Sequence, residues 1–445
     1  MPAALLAAWN STVCAAPRAV AVRDAERGQS WTRAELDGAA DAWAASHGAG
    51  LSGRRVFFAE PNGPGWFVAL LGLLKAGAAA APLDPGEPAA AQRKQAEAAG
   101  GDALWSAGAL ARLRSGRPAR SAGAVVKLTS GSTGRPRGLA FSGRQMLADG
   151  RQICRTMGIR PGDLNVGLIP LGHSYGLGNL VVPLLAQGTA VLCGVPALPQ
   201  PLAAAIARFR PTVLPAVPAI LHALAESEIP PASLKSLRLV ISAGAPLSAE
   251  VAQAFWARFG IKIRNFYGSS ETGGIAFDRS GAATLAGRSV GRPLRGVRLA
   301  FGRADRFTVA SAAALKGRQR PADRGQLNSR GELVLLGRIG RVLKVAGRRL
   351  DPAEVERALR QVPGIRDAWV AAHPRRSDAI AAVIAAELSP AAAVAALRAQ
   401  VAGWKIPKKI VVLPDFPLTA RGKPDRRRLT ALLAKSATGP SEESN

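Results

Sequence analysis

Between about residues 120 and 270, short apolar runs rich in β-branched residues alternate with stretches of helical periodicity. No other feature restricts the fold as much. Strands are expected at residues 124–128, 164–171, 189–193, 212–217, 237–242 and 261–266, with helices at 177–187, 202–209, 219–226 and 249–259. Alternation at this spacing calls for parallel strands with helices packed on the sheet faces. Upstream, residues 31–47 read as a helix with Thr32 as its cap, followed by a strand at 55–60 and a helix at 66–76. Downstream, residues 287–309 hold turns and strands, and a strand near 333–340 runs into Gly337-Arg338-Ile339-Gly340. Beyond it come a short strand at 342–345, a helix at 351–361 with Asp351 as N-cap and Pro352 at its first position, and further β/α alternation.

The expected fold class is therefore α/β, and 445 residues exceed what one core usually holds. A large N-terminal domain (1–338) of parallel or mixed sheets with packed helices carries a β-rich subdomain. A small, mobile α+β C-terminal domain (339–436) is hinged near Gly340, and residues 437–445 form a polar, disordered tail.

Apolar residues make up 48% and charged residues 20%, the balance of a soluble globular chain. The most apolar stretch, 66–83, is interrupted by Lys75 and Pro82 and reads as a buried helix entering a turn, so no transmembrane segment is expected. Residues 1–19 are Ala-rich but lack a positive start, and Trp9-Asn10-Ser11 breaks the run, so a cleaved secretory signal is not expected either. Cys14, Cys154 and Cys193 are too few and scattered for a disulfide framework or a metal site, which fits a cytoplasmic protein.

The charge is uneven. Lys and Arg number 59 against 30 Asp and Glu, a net +29, and residues 286–350 alone hold sixteen bases and three acids (Asp305, Asp323, Glu332). Such a field attracts polyanions: nucleotides, coenzyme A, an acidic carrier protein, nucleic acid or an anionic membrane. An Arg-rich solvated face with no partner is an equally good account. No basic run is interleaved with aromatic residues as a single-strand platform requires, so no specific nucleic acid is expected.

Thr129-Ser130-Gly131-Ser132-Thr133-Gly134-Arg135-Pro136-Arg137-Gly138 follows directly on an apolar strand. Its glycines let several backbone N–H groups face one anion, its hydroxyls add donors, and Arg135 and Arg137 add charge. It is not the Gly-x4-Gly-Lys-Ser/Thr loop of kinases and GTPases. Taken alone, it is an anion site or an idle turn.

The order of these residues goes further, because it resembles the phosphate-loop signature of the adenylate-forming superfamily, which includes acyl-CoA and aryl-CoA ligases, luciferases and peptide-synthetase adenylation domains. Other segments similar to that family's motifs follow in order. They are Pro170-Leu171-Gly172-His173-Ser174-Tyr175-Gly176, Ser242-Ala243-Gly244-Ala245-Pro246, Asn265-Phe266-Tyr267-Gly268-Ser269-Ser270-Glu271-Thr272 and Ser289-Val290-Gly291-Arg292-Pro293. Past these come the hinge around Arg338, the loop Lys344-Val345-Ala346-Gly347-Arg348-Arg349, and Pro417-Leu418-Thr419-Ala420-Arg421-Gly422-Lys423.

The resemblance implies a role for each. Thr129, Ser130, Gly131, Ser132, Thr133, Gly134 and Arg137 would hold the ATP phosphates. Gly244, Ala245, Pro246, Tyr267, Gly268, Ser270 and Asp323 would hold adenine and ribose, with Tyr267 stacked on the base. His173 and Tyr175 would line the acid pocket. Glu271 would hold Mg2+, and Lys423, Glu271 and Arg338 would form the catalytic set. Lys344, Gly347 and Arg348 would serve the thiol step. Core packing for His173 and Tyr267, a helix cap for Glu271 and a solvated side chain for Lys423 are the plainer alternatives.

The departures are specific. Asp323 sits in Pro321-Ala322-Asp323 where the family has Thr-Gly-Asp, and Gly340 stands at a hinge position often held by Asp or Lys. Family membership implies that ATP activates a carboxylic acid to an acyl-adenylate, which passes to a thiol of coenzyme A or of a carrier protein's phosphopantetheine. Ser174-Tyr175-Gly176 lacks the Asp that amino-acid-activating relatives carry nearby, which favours a fatty or aryl acid. The alternative is a catalytically impaired ligase-like protein that binds an acidic partner.

Overall fold

The computed structural model describes residues 2–113, 123–130, 136–338, 343–345, 348–376, 379–398, 400–419 and 424–435, excepting the side chains of Thr129, Ser130, Pro136, Arg338, Lys344, Arg348 and Arg349. Gly131, Ser132, Thr133, Gly134, Gly340, Gly347, Lys423 and the tail 437–445 lie outside the described residues.

Two large sheets carry the N-terminal part. The first has nine strands in the order Arg292–Pro293, Gly273–Phe277, Ile263–Ser269, Leu239–Ser242, Val213–Ala216, Leu164–Val166, Ala190–Cys193, Val20–Asp24 and Gln29–Thr32. Its middle strands, from Ile263–Ser269 to Val20–Asp24, are all parallel, and antiparallel pairs close both edges. The second has six strands in the order Ala109–Arg112, Ala103–Ser106, Arg55–Ala59, Ala79–Pro82, Val125–Ser130 and Pro136–Phe141. Parallel strands buried on both faces read as continuous apolar runs, which is why the alternation was legible.

Several helices begin where their caps require. Thr32 accepts from the backbone of Glu35 while Glu35 bonds back, a complete capping box opening Arg33–His47. Ser142 and Gln145 repeat it at Gly143–Met157. The Ala-rich start is the helix Ala3–Ala15, tied into the core by fully buried Trp9, whose Nε1 donates to Asp37 at 2.7 Å. The apolar stretch at 66–83 divides into the buried helix Pro64–Lys75 and the buried strand Ala79–Pro82, a strand where a turn was expected. No described helix is long and apolar enough to cross a membrane.

Two expected elements come out differently. The strand at 164–171 stops at Val166. Beyond it the Asn62 side chain takes over the backbone: Nδ2 donates to the carbonyls of Gly167 (3.0 Å) and Ile169 (2.9 Å), and Oδ1 accepts from the N–H of Leu171 (3.0 Å). Those groups need no ladder. The single helix at 177–187 is instead Ser174–Gly176, a π-helical turn Leu177–Val181, and Val182–Gln187. The wide turn directs the Asn179 carbonyl to buried Asn165, whose Nδ2 donates to it at 3.0 Å.

A three-stranded sheet (Arg298–Phe301, Phe307–Ala310, Arg318–Gln319) and the ribbon Asp323–Leu327 with Leu333–Arg338 form the strand-rich subdomain. The small C-terminal α+β part holds the ribbon Leu343–Val345 with Arg348–Leu350, and a sheet of Ile365–Ala372, Ile380–Ala386 and Lys409–Leu413 flanked by Pro352–Arg360, Pro390–Arg398 and Arg426–Lys435. Its buried clusters contain only residues from Leu343 onward. Arg324 of the preceding ribbon pairs with Asp351, the side chain that caps Pro352–Arg360 by accepting from Ala353 N–H at 3.0 Å.

Candidate active site

Gly244, Ala245, Pro246, Tyr267 and Gly268 lie at the carboxyl ends of parallel strands of the nine-stranded sheet, where open α/β sheets bind ligands, whereas Thr129, Ser130 and Arg137 belong to the six-stranded sheet. Gly244, Ala245 and Pro246 follow directly on the strand Leu239–Ser242. Gly244 is exposed and takes φ +90°, a conformation that glycine adopts without a Cβ clash. Tyr267 and exposed Gly268 lie near the end of the neighbouring strand Ile263–Ser269.

Tyr267 does more than pack. Its hydroxyl donates to Asp323 Oδ2 at 2.7 Å, so the Asp of Pro321-Ala322-Asp323 stands beside the tyrosine. In the ribbon, Asp323 is paired directly with Arg338. The structure thus brings Tyr267, Asp323 and the backbone of Arg338 to one place.

Ser270 and Glu271 occupy the turn between Ile263–Ser269 and Gly273–Phe277, and no helix begins there. A helix-cap role for Glu271 therefore falls away. The turn is braced from within: Ser269 and buried Thr272 share a hydroxyl–hydroxyl hydrogen bond of 3.0 Å, and Thr272 Oγ1 also donates to the Gly273 carbonyl at 2.9 Å. The Glu271 carbonyl accepts from Leu315 N–H at 2.8 Å, which ties the turn's backbone down, and the Glu271 side chain is partly exposed. Among the described residues no group of three or more His, Cys, Asp or Glu could hold a metal by itself. A lone carboxylate fits Mg2+, which takes one or two carboxylates and completes its shell with phosphate oxygens and water.

Both described ends of the stretch at 129–138 are strand. Thr129 and Ser130 extend the strand Val125–Ser130, and the chain returns as Pro136–Phe141, with Thr129 opposite Arg137 and Ser130 opposite Pro136. Arg137 is exposed on this hairpin. The strand's partly exposed Leu128 shares a cleft with Glu60, Trp66, Pro170, Gly172 and His173. Tyr175 is not among the residues lining that cleft. Its hydroxyl donates to the Ile241 carbonyl at 3.1 Å, its ring packs 5.8 Å from that of Phe266, and burial pushes its phenol well above the ordinary range.

Sequence reasoning passed over two buried charged residues close to these segments in the chain. Lys127, two positions before Thr129, and Asp149 of the helix Gly143–Met157 are buried at 2% exposure each, with Nζ 4.0 Å from Oδ2. Burial pulls the ammonium below the usual lysine range against the opposing fields of Asp149 and Glu271. The same burial pushes the Asp149 carboxyl up, against Lys127 and the Gly274 N–H. A lysine inside the run Val125-Val126-Lys127-Leu128 was the available signal.

Comparison with known proteins gives the family and the fold. Residues 11–114 and 112–301 match the family model of AMP-binding enzymes, and residues 354–423 match the AMP-binding enzyme C-terminal domain. The chain belongs to the AMP-binding enzyme family. It is 29% identical over 310 residues to a benzoate–CoA ligase of Thauera aromatica (61% of this chain, 59% of that one). It is 27% identical over 346 residues to 4-coumarate–CoA ligase 2 of Oryza sativa subsp. japonica (67% and 60%). The chain thus spans about three fifths of the length of such curated relatives. Its fold matches ATP-bound MatB from Rhodopseudomonas palustris, with a TM-score of 0.82 at 20% identity over 96% of this chain and 98% of that one. It also matches O-succinylbenzoate coenzyme A synthetase (MenE) from Bacillus subtilis in complex with AMP, with a TM-score of 0.80 at 22% identity over 96% and 98%.

Proposed function

We propose that this chain is an AMP-forming ligase that uses ATP to convert a carboxylic acid to an acyl-adenylate and then passes the acyl group to a thiol. The observation that carries the reading is the 2.7 Å bond from Tyr267 to Asp323, beside the turn that carries Glu271. It gives one place both a flat ring for a base and a carboxylate for ribose hydroxyls.

In the first step the acid's carboxylate oxygen attacks the α-phosphorus of ATP, and the bond to pyrophosphate breaks. The chain's part is to position and to neutralise. Tyr267 and Asp323 fix the nucleoside, the backbone and hydroxyls of the 129–138 hairpin with Arg137 grip the leaving phosphates, and Lys423 sits by the attacking oxygen. Mg2+, which Glu271 would help hold, supplies charge neutralisation of the phosphates when bound. In the second step the thiol sulfur attacks the acyl carbon and AMP leaves, with the small domain (339–436) rotated about Arg338–Gly340 to bring Lys344, Gly347 and Arg348 to the site.

An aryl acid is the substrate class we favour. The benzoate- and 4-coumarate-activating relatives support it, and Ser174-Tyr175-Gly176 lacks a carboxylate for an α-amino group. The acceptor is coenzyme A or a carrier arm; a probable nonribosomal peptide synthetase of Salinispora arenicola, 31% identical over 241 residues, keeps the second in view.

ATP–pyrophosphate exchange across a panel of aryl and fatty acids tests the reading, with aryl acids expected to stimulate most. No exchange with any acid from a folded protein sinks it.

A further inference from the structure

Lys127 and Asp149 are the deepest ionic pair described in the molecule's N-terminal part, and the proposed reaction as written above makes no use of them. Isolated buried charges cost several kcal/mol each, so a pair kept at this depth needs a reason beyond stability. Its neighbours indicate one.

Asp149 is fixed from three sides. Its Oδ1 accepts from Gly274 N–H at 2.9 Å. A Cβ on Gly273 would lie 2.3 Å from that oxygen, and one on Gly178 of the π-helical turn would lie 3.2 Å from the other. Asp149 is thus seated against the segment that directly follows Glu271. Lys127 reaches the same point from the strand leading into the 129–138 hairpin, its Nζ 4.4 Å from the centre of the Phe141 ring. Through Asp149 the ammonium therefore links the strand that leads into the hairpin to Gly273 and Gly274, which follow the Glu271 turn.

We propose that Lys127 is a positioning residue: held by Asp149, it fixes the register between the hairpin strand and the Glu271 turn, and thereby sets where Glu271 meets the magnesium–pyrophosphate end of ATP. This rests on the reading of function given above. Residues that orient a metal-holding carboxylate typically matter by 10- to 100-fold in metal affinity or activity.

Lys127→Met alone leaves Asp149 as an uncompensated buried charge and is expected to destabilise the fold. The informative variant is the double, Lys127→Met with Asp149→Asn, which keeps the side-chain lengths, the packing on Phe141 and an acceptor for Gly274 N–H. Calorimetric titration with MgATP and with AMP is the readout, because AMP samples only the Tyr267–Asp323 half. We expect the double variant to melt within a few degrees of wild type, to bind AMP within about twofold, and to bind MgATP roughly tenfold more weakly. MgATP binding equal to wild type overturns the proposal. So does a parallel loss of AMP and MgATP affinity, which marks a general structural defect. If the double variant does not fold, Lys127→Arg decides by the same titration. Arginine is not interchangeable with lysine at a packed site, so a loss of MgATP affinity beyond about threefold with AMP binding kept supports the proposal, and MgATP binding equal to wild type or an equal loss of both ligands overturns it. A wild type that binds MgATP but exchanges no acid defeats the functional reading alone, since the binding comparison stands without catalysis.

Discussion

Tyr267 and Asp323, 56 residues apart in the chain, meet through a 2.7 Å hydrogen bond from phenol to carboxylate. Hydrogen bonds to charged groups are worth about 1.5–3 kcal/mol. Tyr267→Phe keeps the ring and removes the bond, so the KM for ATP in pyrophosphate exchange should rise roughly tenfold with little change in kcat. Asp323→Ala should cost more, since it also removes the proposed ribose acceptor. Unchanged ATP dependence in both variants would remove this pair from the nucleotide site.

The pairing of Arg324 with Asp351 bridges the last ribbon of the N-terminal part and the first helix of the C-terminal part. Asp351→Ser removes the charge but retains a capping oxygen. Arg324→Ala removes the other half. Both should speed limited proteolysis within residues 339–350 a few-fold, because local opening is governed by the contacts that hold a segment closed. Cleavage at the wild-type rate in both would show that the pair latches nothing.

Burial pushes the thiols of Cys154 and Cys193 up to about 12, whereas Cys14 is exposed. The thiolate is the reactive form. At pH 8 iodoacetamide should add one label to the native protein, at Cys14, and three after denaturation, counted by intact mass.

Burial raises the Asp163 carboxyl, but its bonds from Arg238, from Thr212 Oγ1 at 2.7 Å and from Arg160 N–H at 2.7 Å outweigh this and hold it below its ordinary value. A lowered folded pKa stabilises above the unfolded value of about 4 and ceases to do so as pH falls through the folded value. Asp163→Asn should therefore cost about 1–2 kcal/mol at pH 7, allowing for the partial exposure of Arg238. The gap to wild type should close in acid. A constant gap down to pH 2 would show that the charge is irrelevant.

Gly291, in the Ser289-Val290-Gly291-Arg292-Pro293 motif, takes φ +87°, and a Cβ there would lie 2.1 Å from the carbonyl carbon of Phe277. Strain at such a φ alone costs on the order of 1–3 kcal/mol. Gly291→Ala should lower the melting temperature by several degrees in a thermal scan. An unchanged melting point would mean that the edge strand Arg292–Pro293 is dispensable.

Much of this fold was legible because local and long-range signals agreed: β-branched runs became parallel strands, and Thr32 and Asp351 capped the helices assigned to them. Legibility failed where a distant side chain substituted for a ladder, as Asn62 does for residues 167–171, and where one turn widened to place the Asn179 carbonyl. The site divides likewise. Tyr267 and Asp323 stood out through motif order, and their meeting confirms that they are neighbours. Lys127 and Asp149 went unread because burial is decided by what packs around a residue, and a helix, a π turn and a hairpin enclose them.

The nine-stranded sheet has a further consequence, for synthesis on the ribosome. The strand Val20–Asp24 finds its parallel partner only at Ala190–Cys193, with Val22 paired to Val191. At about 5–20 residues per second that partner emerges roughly ten to thirty seconds later. Throughout that interval the nascent chain carries a strand whose one early strand partner among the described residues is the short Gln29–Thr32 hairpin arm, with the helices Arg33–His47 and Pro64–Lys75 to pack against it. Escape from aggregation during translation, and the demand for chaperones that goes with it, is written into the position of this one strand.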